Sequence, residues 1–230
     1  ELMVNKRGGI VALDPKTGQI LALVTAPSYD PSILVGRQRS KNYTKLYRDS
    51  IAQPLFDRGL LAQYAPGSPF KIVTGLIALQ EGVIDENTTV MCHHGFSYAR
   101  GRFMRCHGFG PHQLHNGIYN SCNAYFGTVY MRTINKYLKP PQAVDIWAKH
   151  AKSFGLGDFM GYDLPTGKRG LIPTSKTYKI IYPNGGWRST AIVSNAIGQG
   201  EVLATPIQLA NMIATVANRG YYYTPHIIKY

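Results

Sequence analysis

A serine and a lysine three residues apart open one apolar segment of this 230-residue chain. Ser68 and Lys71 lie in residues 63–71, and the apolar residues that follow as far as Leu79 predict a helix. Pro69 is typical of the first position of a helix, so we expect Ser68 to be its N-cap. Residues at this spacing share one helix face, and the two side chains should therefore be neighbours.

The surroundings of this pair favour nucleophilic catalysis over a chance Ser-x-x-Lys. Apolar residues lie around the whole circumference of the predicted helix, so we expect it to be buried; they are Ile72, Val73, Leu76, Ile77 and Leu79. A lysine buried in the first turn opposes the helix dipole and loses its hydration, which lowers its pKa. Such a lysine can take the proton of a neighbouring hydroxyl, which predicts Ser68 as nucleophile and Lys71 as general base.

A second hydroxyl precedes another predicted helix, in Ser121-Cys122-Asn123. Ser121 suits a helix cap, but it also suits a second hydroxyl beside Lys71 that passes a proton onward. The amide of Asn123 would then position a substrate carbonyl. The same Ser-x-Asn spacing at residues 40–42 lies in a basic polar segment, and we interpret it as accidental.

Cysteines and histidines are concentrated between residues 92 and 122. The side chains of Cys92, Cys106, His112 and Cys122 are suited to one tetrahedral zinc ion, and His107 is an alternative to His112. No Cys-x-x-Cys pair is present, so two other interpretations stay open. One is a disulfide between Cys92 and Cys106. The other is that the histidines, which include His93 and His94, are loop residues that bind no metal.

The composition indicates a globular and strongly basic protein. Hydrophobic residues make up 44% of the chain, and the formal net charge is +13. The cations are spread from Lys6 to Lys229 without a dense block, so an acidic polymer, an anionic lipid headgroup or a carboxylate substrate would suit them equally. A zinc-stabilised nucleic-acid-binding module is a distant alternative, which the scattered charge and the apolar helix disfavour. No signal peptide or long apolar run occurs, so we expect any membrane segment to lie upstream of Glu1.

Hydrophobic periodicity predicts an α+β domain whose sheet is completed from both ends of the chain. We expect a hairpin from residues 9–13 and 20–24 with its turn at 14–19, and a surface segment over 27–58. After the helix that follows Ser68 we expect a loop over 92–120, helices over 125–137, 144–151 and 206–217, an irregular stretch up to 187, and an approach to a strand over 221–230.

Three motifs in order resemble the transpeptidase domain of class B penicillin-binding proteins. They are Ser68-Pro69-Phe70-Lys71, Ser121-Cys122-Asn123, and Gly198-Gln199-Gly200 ahead of Thr205-Pro206. Residues 10–24 and 27–31 resemble the family as well, so the likeness covers nearly the whole chain, and we expect 1–230 to be one such domain, truncated at both ends. The chain is most similar to the elongation-type penicillin-binding protein 2 of Bacteroides-like bacteria. The resemblance implies a serine β-lactamase-like fold, an antiparallel sheet with helices on both sides.

The resemblance also implies an activity, peptidoglycan D,D-transpeptidation. Ser68 would attack the penultimate D-alanine of a stem peptide, Lys71 would be the base, Ser121 the relay to the leaving nitrogen and Asn123 a partner of a substrate amide. The N–H of Ser68 would form half of the oxyanion hole, and β-lactams would acylate the same serine. A D,D-carboxypeptidase, or a relative that senses or hydrolyses β-lactams, is the nearer alternative.

Further implications of the resemblance concern metals, partners and location. Catalysis would need no cofactor, and a structural zinc would lie in the Cys/His segment with Cys122 as its last ligand. The expected partners are stem peptides or their lipid-linked precursor, β-lactams, and elongation machinery such as a glycosyltransferase, with no nucleic acid. The full-length protein would lie at the periplasmic face of the inner membrane, anchored by an upstream segment.

One feature departs from the family pattern. The third motif, Lys-Thr-Gly, should follow the fourth helix, and it is absent up to Tyr230. Residues 16–18 have the same letters but lie in the predicted hairpin turn, so we do not assign them this role. Without that strand, its second oxyanion donor and its carboxylate-binding lysine, we expect the chain as given to be a poor catalyst.

Overall fold

The computed structural model describes residues 3–228. Its strands are β1 Gly8–Leu13, β2 Ile20–Ala26, β3 Val90–Ala99 and β4 Arg102–His112; its α-helices are α1 Arg39–Arg48, α2 Lys71–Gln80, α3 Leu114–Tyr119, α4 Asn123–Asn135, α5 Pro140–Lys152, α6 Ser175–Ile181 and α7 Pro206–Ala217. Backbone contacts divide the chain into two compact units. The first comprises the chain up to Tyr64, Phe154–Gly170 and the chain from Ala204 onward, and the second comprises Ala65–Ser153 and Leu171–Leu203.

The first unit contains the predicted hairpin, which is confirmed as the antiparallel pair β1 and β2. Residues 16–18 lie in its turn, where Gly18 has a φ of +82°, so they do not form part of a strand that lines a site. At the other end of the chain, His226 pairs alongside Gln19 in a parallel bridge. This bridge agrees with the predicted approach to a strand over 221–230, of which residues 229 and 230 lie outside the described part.

α7 packs against β1 in the same unit and was predicted correctly. Thr205 caps the helix by accepting a hydrogen bond from the N–H of Gln208, and Pro206 follows at the first position, as the sequence indicated. The segment over 27–58 contains a helix that we did not predict, α1. The helix has no buried residue, and so it lacks the apolar periodicity that signals helices.

The second unit is built around α2, α4 and α5. The buried rings of Phe70, Tyr130 and Trp147 pack edge to face at its centre, with centroid distances of 6.1 and 5.5 Å to the indole. α4 was predicted correctly in type. The predicted helix over 144–151 lies within α5, which begins earlier, at Pro140, and the expected irregular stretch contains the short helix α6.

The predicted loop over 92–120 is wrong, because most of this segment is the antiparallel hairpin of β3 and β4, followed by α3. Burial alternates along the start of β3, where Val90 and Cys92 are buried and Met91 and His93 are exposed. This period of two was present in the sequence, but the density of Gly, His and Arg obscured it.

Two details of α2 also differ from the prediction. Ser68 is not an N-cap but the first residue of a 3-10 turn, Ser68–Phe70, that runs into α2, and its predecessor Gly67 takes the cap position. Burial is not complete around the helix, since Val73 and Ile77 are buried but Leu76 is 39% exposed. One consequence is that the Ser68 hydroxyl is not engaged in capping and is free to face other side chains.

Candidate active site

Three polar side chains predicted from the sequence meet at the start of α2 in the second unit. The Nζ of Lys71 lies 3.2 Å from the Oγ of Ser68 and 2.8 Å from the Oγ of Ser121. The two hydroxyls are also in contact, with Ser121 donating to Ser68 at 3.0 Å. Each of the three groups therefore lies within hydrogen-bonding distance of the other two.

The burial of these groups differs in a way that matters for chemistry. Ser68 and Ser121 are exposed, whereas Lys71 is only 2% exposed. Burial lowers the pKa of the Lys71 ammonium, and the nearby thiols of Cys106 and Cys122, when ionised, oppose part of this shift. A substrate in solvent can therefore reach the two hydroxyls. The Lys71 amine is shielded from water, which favours its neutral form.

Ser121 is placed by an uncommon backbone conformation. Its φ is +51°, in the left-handed region that residues other than glycine rarely adopt. In this conformation both its carbonyl oxygen and its hydroxyl accept from the Nζ of Lys71, at 2.7 and 2.8 Å. Left-handed residues outside glycine concentrate at functional sites, where the surrounding contacts hold them in place.

A glycine from a distant part of the chain supports the turn that carries Ser68. Gly67 donates a backbone hydrogen bond to the carbonyl of Gly198 at 2.8 Å. Gly198 has a φ of +65°, and a Cβ built on it would lie 2.5 Å from the carbonyl oxygen of Gly67 and 2.6 Å from the Cβ of Phe70. A side chain at position 198 would therefore collide with the turn, which explains why only glycine fits there.

α2 is tied to the same distant segment one turn further on. The hydroxyl of Thr74 is buried and donates to the carbonyl of Ala196 at 2.8 Å. At the other end of the helix, the carboxylate of Glu81 accepts hydrogen bonds from Lys136, Tyr137 and His150. Both ends of α2 are thus fixed within this unit.

Asn123, the first residue of α4, is held by the β3–β4 hairpin. Its Nδ2 donates to the carbonyl of Arg105 at 2.9 Å, and its backbone N–H donates to the Sγ of Cys106 at 3.2 Å. The Nδ2 is therefore oriented by the strand, and the Oδ1 can accept a hydrogen bond from a substrate N–H.

The three cysteines form one buried cluster behind Ser121 and Asn123. Their sulfurs all lie within 4.8 Å of one another, and those of Cys106 and Cys122 are 3.7 Å apart. All three are free thiols, so the Cys92–Cys106 disulfide that we considered is not formed.

The thiols differ in their readiness to ionise. Burial raises the pKa of Cys92, and it raises that of Cys122 to about 12. Burial also acts on Cys106, but hydrogen bonds from the backbone N–H groups of Ala124 and Gly108 outweigh it and lower its pKa to about 7. One thiolate is therefore available near neutral pH in a cluster of three sulfurs.

His112 is the predicted ligand that the structure does not place within this group of sulfurs. Its ring is buried, with Nδ1 3.1 Å from the carbonyl oxygen of Gly110, which leaves Nε2 as the nitrogen with a free lone pair. The ring packs against Gly108, whose backbone contacts both Cys92 and Cys106. His107, the alternative ligand, is exposed.

Sequence reasoning missed the residues that hold this site in place. No role was inferred for Gly198, and neither Thr74 nor Glu81 was singled out. Glu81 carried a usable signal, because a carboxylate at the end of a helix opposes the helix dipole and is retained there only with cationic partners. Gly198 carried none by itself, since its close approach to Gly67 follows from tertiary packing.

An exposed serine held by a buried lysine is the arrangement by which a hydroxyl becomes a nucleophile for acyl transfer without a histidine. A family profile described as "Penicillin binding protein transpeptidase domain" matches residues 8–230. The chain belongs to this family. The membership confirms the predicted α+β, transpeptidase-like fold and leaves no support for the nucleic-acid-binding alternative.

The individual relatives that the chain resembles belong to one branch of the family, the PBP2 type. The chain is 34% identical over 99% of its length to the "Peptidoglycan D,D-transpeptidase MrdA" of Acinetobacter baumannii, of which it covers 33%. Among solved structures it is similar to Pseudomonas aeruginosa PBP2 in complex with WCK 5153, with a TM-score of 0.84, 33% identity, and coverage of 97% of this chain and 47% of that one.

A third similar structure is the complex between PBP2 and MreC from Helicobacter pylori, with a TM-score of 0.85, 30% identity, and coverage of 98% of this chain and 40% of that one. The predicted likeness to the PBP2 type is thus confirmed, whereas the closer likeness to Bacteroides-like proteins stays a prediction. The chain spans about a third of the length of the curated relatives it matches. Across residues 3–228, no helix combines the length and the apolar character needed to cross a bilayer.

Proposed function

We propose that this chain is the transpeptidase domain of a peptidoglycan D,D-transpeptidase. The observation that carries the proposal is the mutual contact of Ser68, Lys71 and Ser121 around a lysine that is 2% exposed. In this assignment Ser68 attacks the penultimate D-alanine carbonyl of a stem peptide and expels the terminal D-alanine. The acyl-enzyme then passes its acyl group to the amine of a second strand.

The distances support Lys71 as the base that takes the proton from Ser68. The two shortest contacts of Nζ go to the carbonyl and hydroxyl oxygens of Ser121, and the longest goes to the Ser68 hydroxyl. A neutral amine has two N–H groups, which satisfy Ser121, and one lone pair, which is left for the proton of Ser68. The proton can then move from Nζ to the Ser121 hydroxyl and on to the leaving nitrogen.

Two further groups take binding roles in this assignment. The backbone N–H of Ser68, the first residue of the 3-10 turn, would form one half of an oxyanion hole. The Oδ1 of Asn123 accepts from a substrate amide while its Nδ2 stays bonded to Arg105. Penicillins, which the name of the family associates with these domains, would acylate Ser68 in place of the stem peptide.

Labelling of the full-length protein with a fluorescent penicillin tests the assignment of the nucleophile. We expect covalent label on the native protein, none on Ser68→Ala, and undiminished label on the matched control Ser50→Ala, which changes an exposed serine outside the site. A folded native protein that takes no label would contradict the proposal.

Product analysis separates transpeptidation from its nearer alternative. With a donor peptide that ends in D-alanyl-D-alanine and an acceptor amine, a transpeptidase forms the cross-linked product, whereas a D,D-carboxypeptidase releases D-alanine and transfers the acyl group to water. We expect cross-linked product that increases with acceptor concentration. Hydrolysis that is unaffected by the acceptor would assign the carboxypeptidase activity instead.

We also propose that the cysteine cluster holds a structural zinc ion. A tetrahedral site with Zn–S bonds of about 2.3 Å has edges of about 3.8 Å, close to the 3.7 Å between the sulfurs of Cys106 and Cys122. Cys92, Cys106 and Cys122 would supply three ligands, and the buried His112 is favoured over His107 as the fourth. Zinc would fix Cys122, which lies between Ser121 and Asn123, and so would link the order of the hairpin to the geometry of the site.

Metal analysis of the purified protein checks this proposal. We expect close to one zinc per chain in the native protein and a strong loss in Cys122→Ser and His112→Ala, with no loss in the control His107→Ala. Absence of zinc, together with a blocked thiol at Cys92, would refute it. The readout is independent of enzymatic activity.

The partners and the location belong to the same proposal. The Helicobacter pylori relative was solved in complex with MreC, which supports an assembly partner for this protein. We propose a place in a cell-wall assembly that includes a glycosyltransferase partner. We assign it to the periplasmic face of the inner membrane, with stem peptides or their lipid-linked precursor as substrates. Fractionation of cells and crosslinking of the full-length protein test both points.

A further inference from the structure

α1 in the first unit is a helix without a single buried residue. It rests on the preceding 3-10 turn through one side only, where the Nδ2 of Asn42 donates to the carbonyl of Ile33 at 2.7 Å and Leu46 is half-buried. Most helical stability in proteins comes from packing of an apolar face. Packing therefore does not account for the exposed side chains of α1, and these are candidates for binding another molecule.

One face of α1 is a stripe of cations without anionic partners. Lys41, Lys45 and Arg48 lie at positions i, i+4 and i+7, so they share a face, and all three are exposed. Like charges at this spacing destabilise an isolated helix. Among the described residues, every ion pair involves either Glu81 or Asp158, and none reaches this helix.

The two acidic residues that flank α1 do not neutralise the stripe. Asp30 accepts hydrogen bonds from the backbone N–H and the hydroxyl of Ser32, and Asp49 accepts from the backbone N–H groups of Ile51 and Ala52. Both carboxylates are used to shape local turns. An anion from another molecule would relieve the repulsion along the stripe.

A second face of α1 displays aromatic rings. Tyr43 and Tyr47 are 49% and 73% exposed, and their rings stack at 6.1 Å with an angle of 16° between their planes. Exposed tyrosines are typical of interaction surfaces, because a large apolar ring is combined with a hydrogen-bonding hydroxyl. This face is independent of the cationic stripe and also points to a ligand.

A groove runs beside the tyrosine face and has the chemistry of a sugar site. Its volume is about 440 Å³, and its walls are Leu34, Arg39, Ser40, Tyr43 and Thr44. This size lies within the range of small-ligand sites. An aromatic ring can pack on the C–H face of a sugar, the hydroxyls can bond its oxygens, and the guanidinium can pair with a carboxylate.

We propose that α1 and this groove bind the glycan strand of peptidoglycan through its sugars and through the carboxylates of its stem peptides. The inference rests on the proposed function, which makes this polymer the substrate, and it adds a binding surface outside the catalytic residues. The tyrosine face and groove take a sugar unit, and the stripe of Lys41, Lys45 and Arg48 pairs with peptide carboxylates. A bilayer surface is a poorer fit, since Leu46 faces inward and the exposed face carries tyrosines in place of aliphatic side chains.

Sedimentation with purified peptidoglycan sacculi tests the proposal on the full-length protein, with benzylpenicillin present throughout so that capture at Ser68 does not contribute. The variants are Lys41→Gln/Lys45→Gln and Tyr43→Ala. The matched control is Lys176→Gln/Lys179→Gln, which makes the same change of charge on the exposed side of α6. Glutamine keeps a high helix propensity, so α1 should stay folded, and thermal unfolding checks this.

We expect the double lysine variant to bind sacculi roughly tenfold more weakly at low salt and the difference to shrink at high salt. Tyr43→Ala should bind sacculi roughly tenfold more weakly at both salt concentrations, because salt does not screen the contact made by the ring. The control variant should bind as the native protein does. Chitin, which offers similar sugars without peptide carboxylates, should bind more weakly and with little salt dependence.

Three results would overturn the proposal. The first is undiminished binding of sacculi by both α1 variants, and the second is equal losses in the control. The third is binding of anionic phospholipid vesicles or duplex DNA as tight as binding of sacculi and equally sensitive to the α1 variants, which would assign α1 to another anion. Loss of penicillin labelling at Ser68 tests the proposed function separately, so the two failures are distinguishable.

Discussion

Glu81 joins the ends of three helices in the second unit. It follows the last residue of α2, and its carboxylate accepts from Tyr137 at 2.6 Å, from His150 of α5 at 2.8 Å, and from Lys136 at the end of α4 at 3.0 Å. α2 and α4 carry Lys71 and Asn123 at their opposite ends. Removal of this charge by Glu81→Gln should therefore loosen the pair of helices on which the candidate site is built.

The size of the effect follows from the ionisation of Glu81. Burial alone would raise the pKa of this carboxyl, but the hydrogen bonds from Tyr137, Lys136 and His150 outweigh it and lower the pKa from 4.5 to about 2. A difference of this size corresponds to roughly 3 kcal/mol of stabilisation by the ionised form, for a side chain that is 8% exposed. Because the folded pKa is the lower one, this contribution is complete above about 4.5 and is lost as the pH falls toward about 2.

Urea unfolding of the native protein and Glu81→Gln at a series of pH values measures this contribution. We expect the variant to lose roughly 3 kcal/mol at neutral pH, or about 6–12 °C in Tm, and the difference to shrink as the pH falls from about 4.5 toward about 2. Glu86→Gln, which changes an exposed carboxylate of the same kind, should have little effect. A loss in Glu81→Gln that is the same at pH 3 as at neutral pH would show that charge is not its cause.

Three further predictions concern the acylation of Ser68 by penicillin. In Gly198→Ala the new Cβ would lie 2.5 Å from the carbonyl oxygen of Gly67, so the turn that carries Ser68 must shift. The acylation rate should therefore fall at least about tenfold. An unchanged rate would show that Gly198 does not support this turn. Ser121→Ala should slow acylation about a hundredfold with little change in Tm, since it removes the relay hydroxyl but keeps the carbonyl that binds Lys71; a normal rate would remove Ser121 from the proton path. The acylation rate should rise with pH, and the midpoint of this pH profile should lie below 10.5, the ordinary pKa of lysine, because burial favours the neutral amine. Stopped-flow kinetics measure the profile. A midpoint at or above 10.5 would contradict a lysine base.

The reactive groups could be read from the sequence because the signals that identify them are local. The spacing of Ser68 and Lys71 places them on adjacent positions of one turn wherever that turn lies, and the apolar residues after them indicate that the lysine loses its hydration. The predicted N-cap, Ser68, is wrong by one residue, because the local signal that indicated it, a proline, does not fix the position of the cap. A proline is tolerated at either of the first two positions of a helical turn, and only the observed backbone decides between them.

The errors in the fold arose where local signals were weak or conflicting. α1 has no buried face, so no periodicity marks it. The β3–β4 hairpin combines alternating burial with residues that are common in loops, and pairing between its strands, which sequence does not display, decides in favour of a sheet. The exposure of Leu76 likewise depends on which neighbours cover α2, and the composition of the helix does not determine that.

The sequence by itself determined the chemistry of this protein: a serine with a lysine one turn away, a second hydroxyl before another helix, and thiols suited to a metal. Tertiary structure alone decided that Ser121 reaches a lysine 50 residues away, that three sulfurs meet behind it, and that Gly198 and Glu81 hold the ends of α2. The physical reason is that neighbours along the chain are constrained by backbone geometry, whereas distant groups meet only when packing of the core repays the entropy of bringing them together.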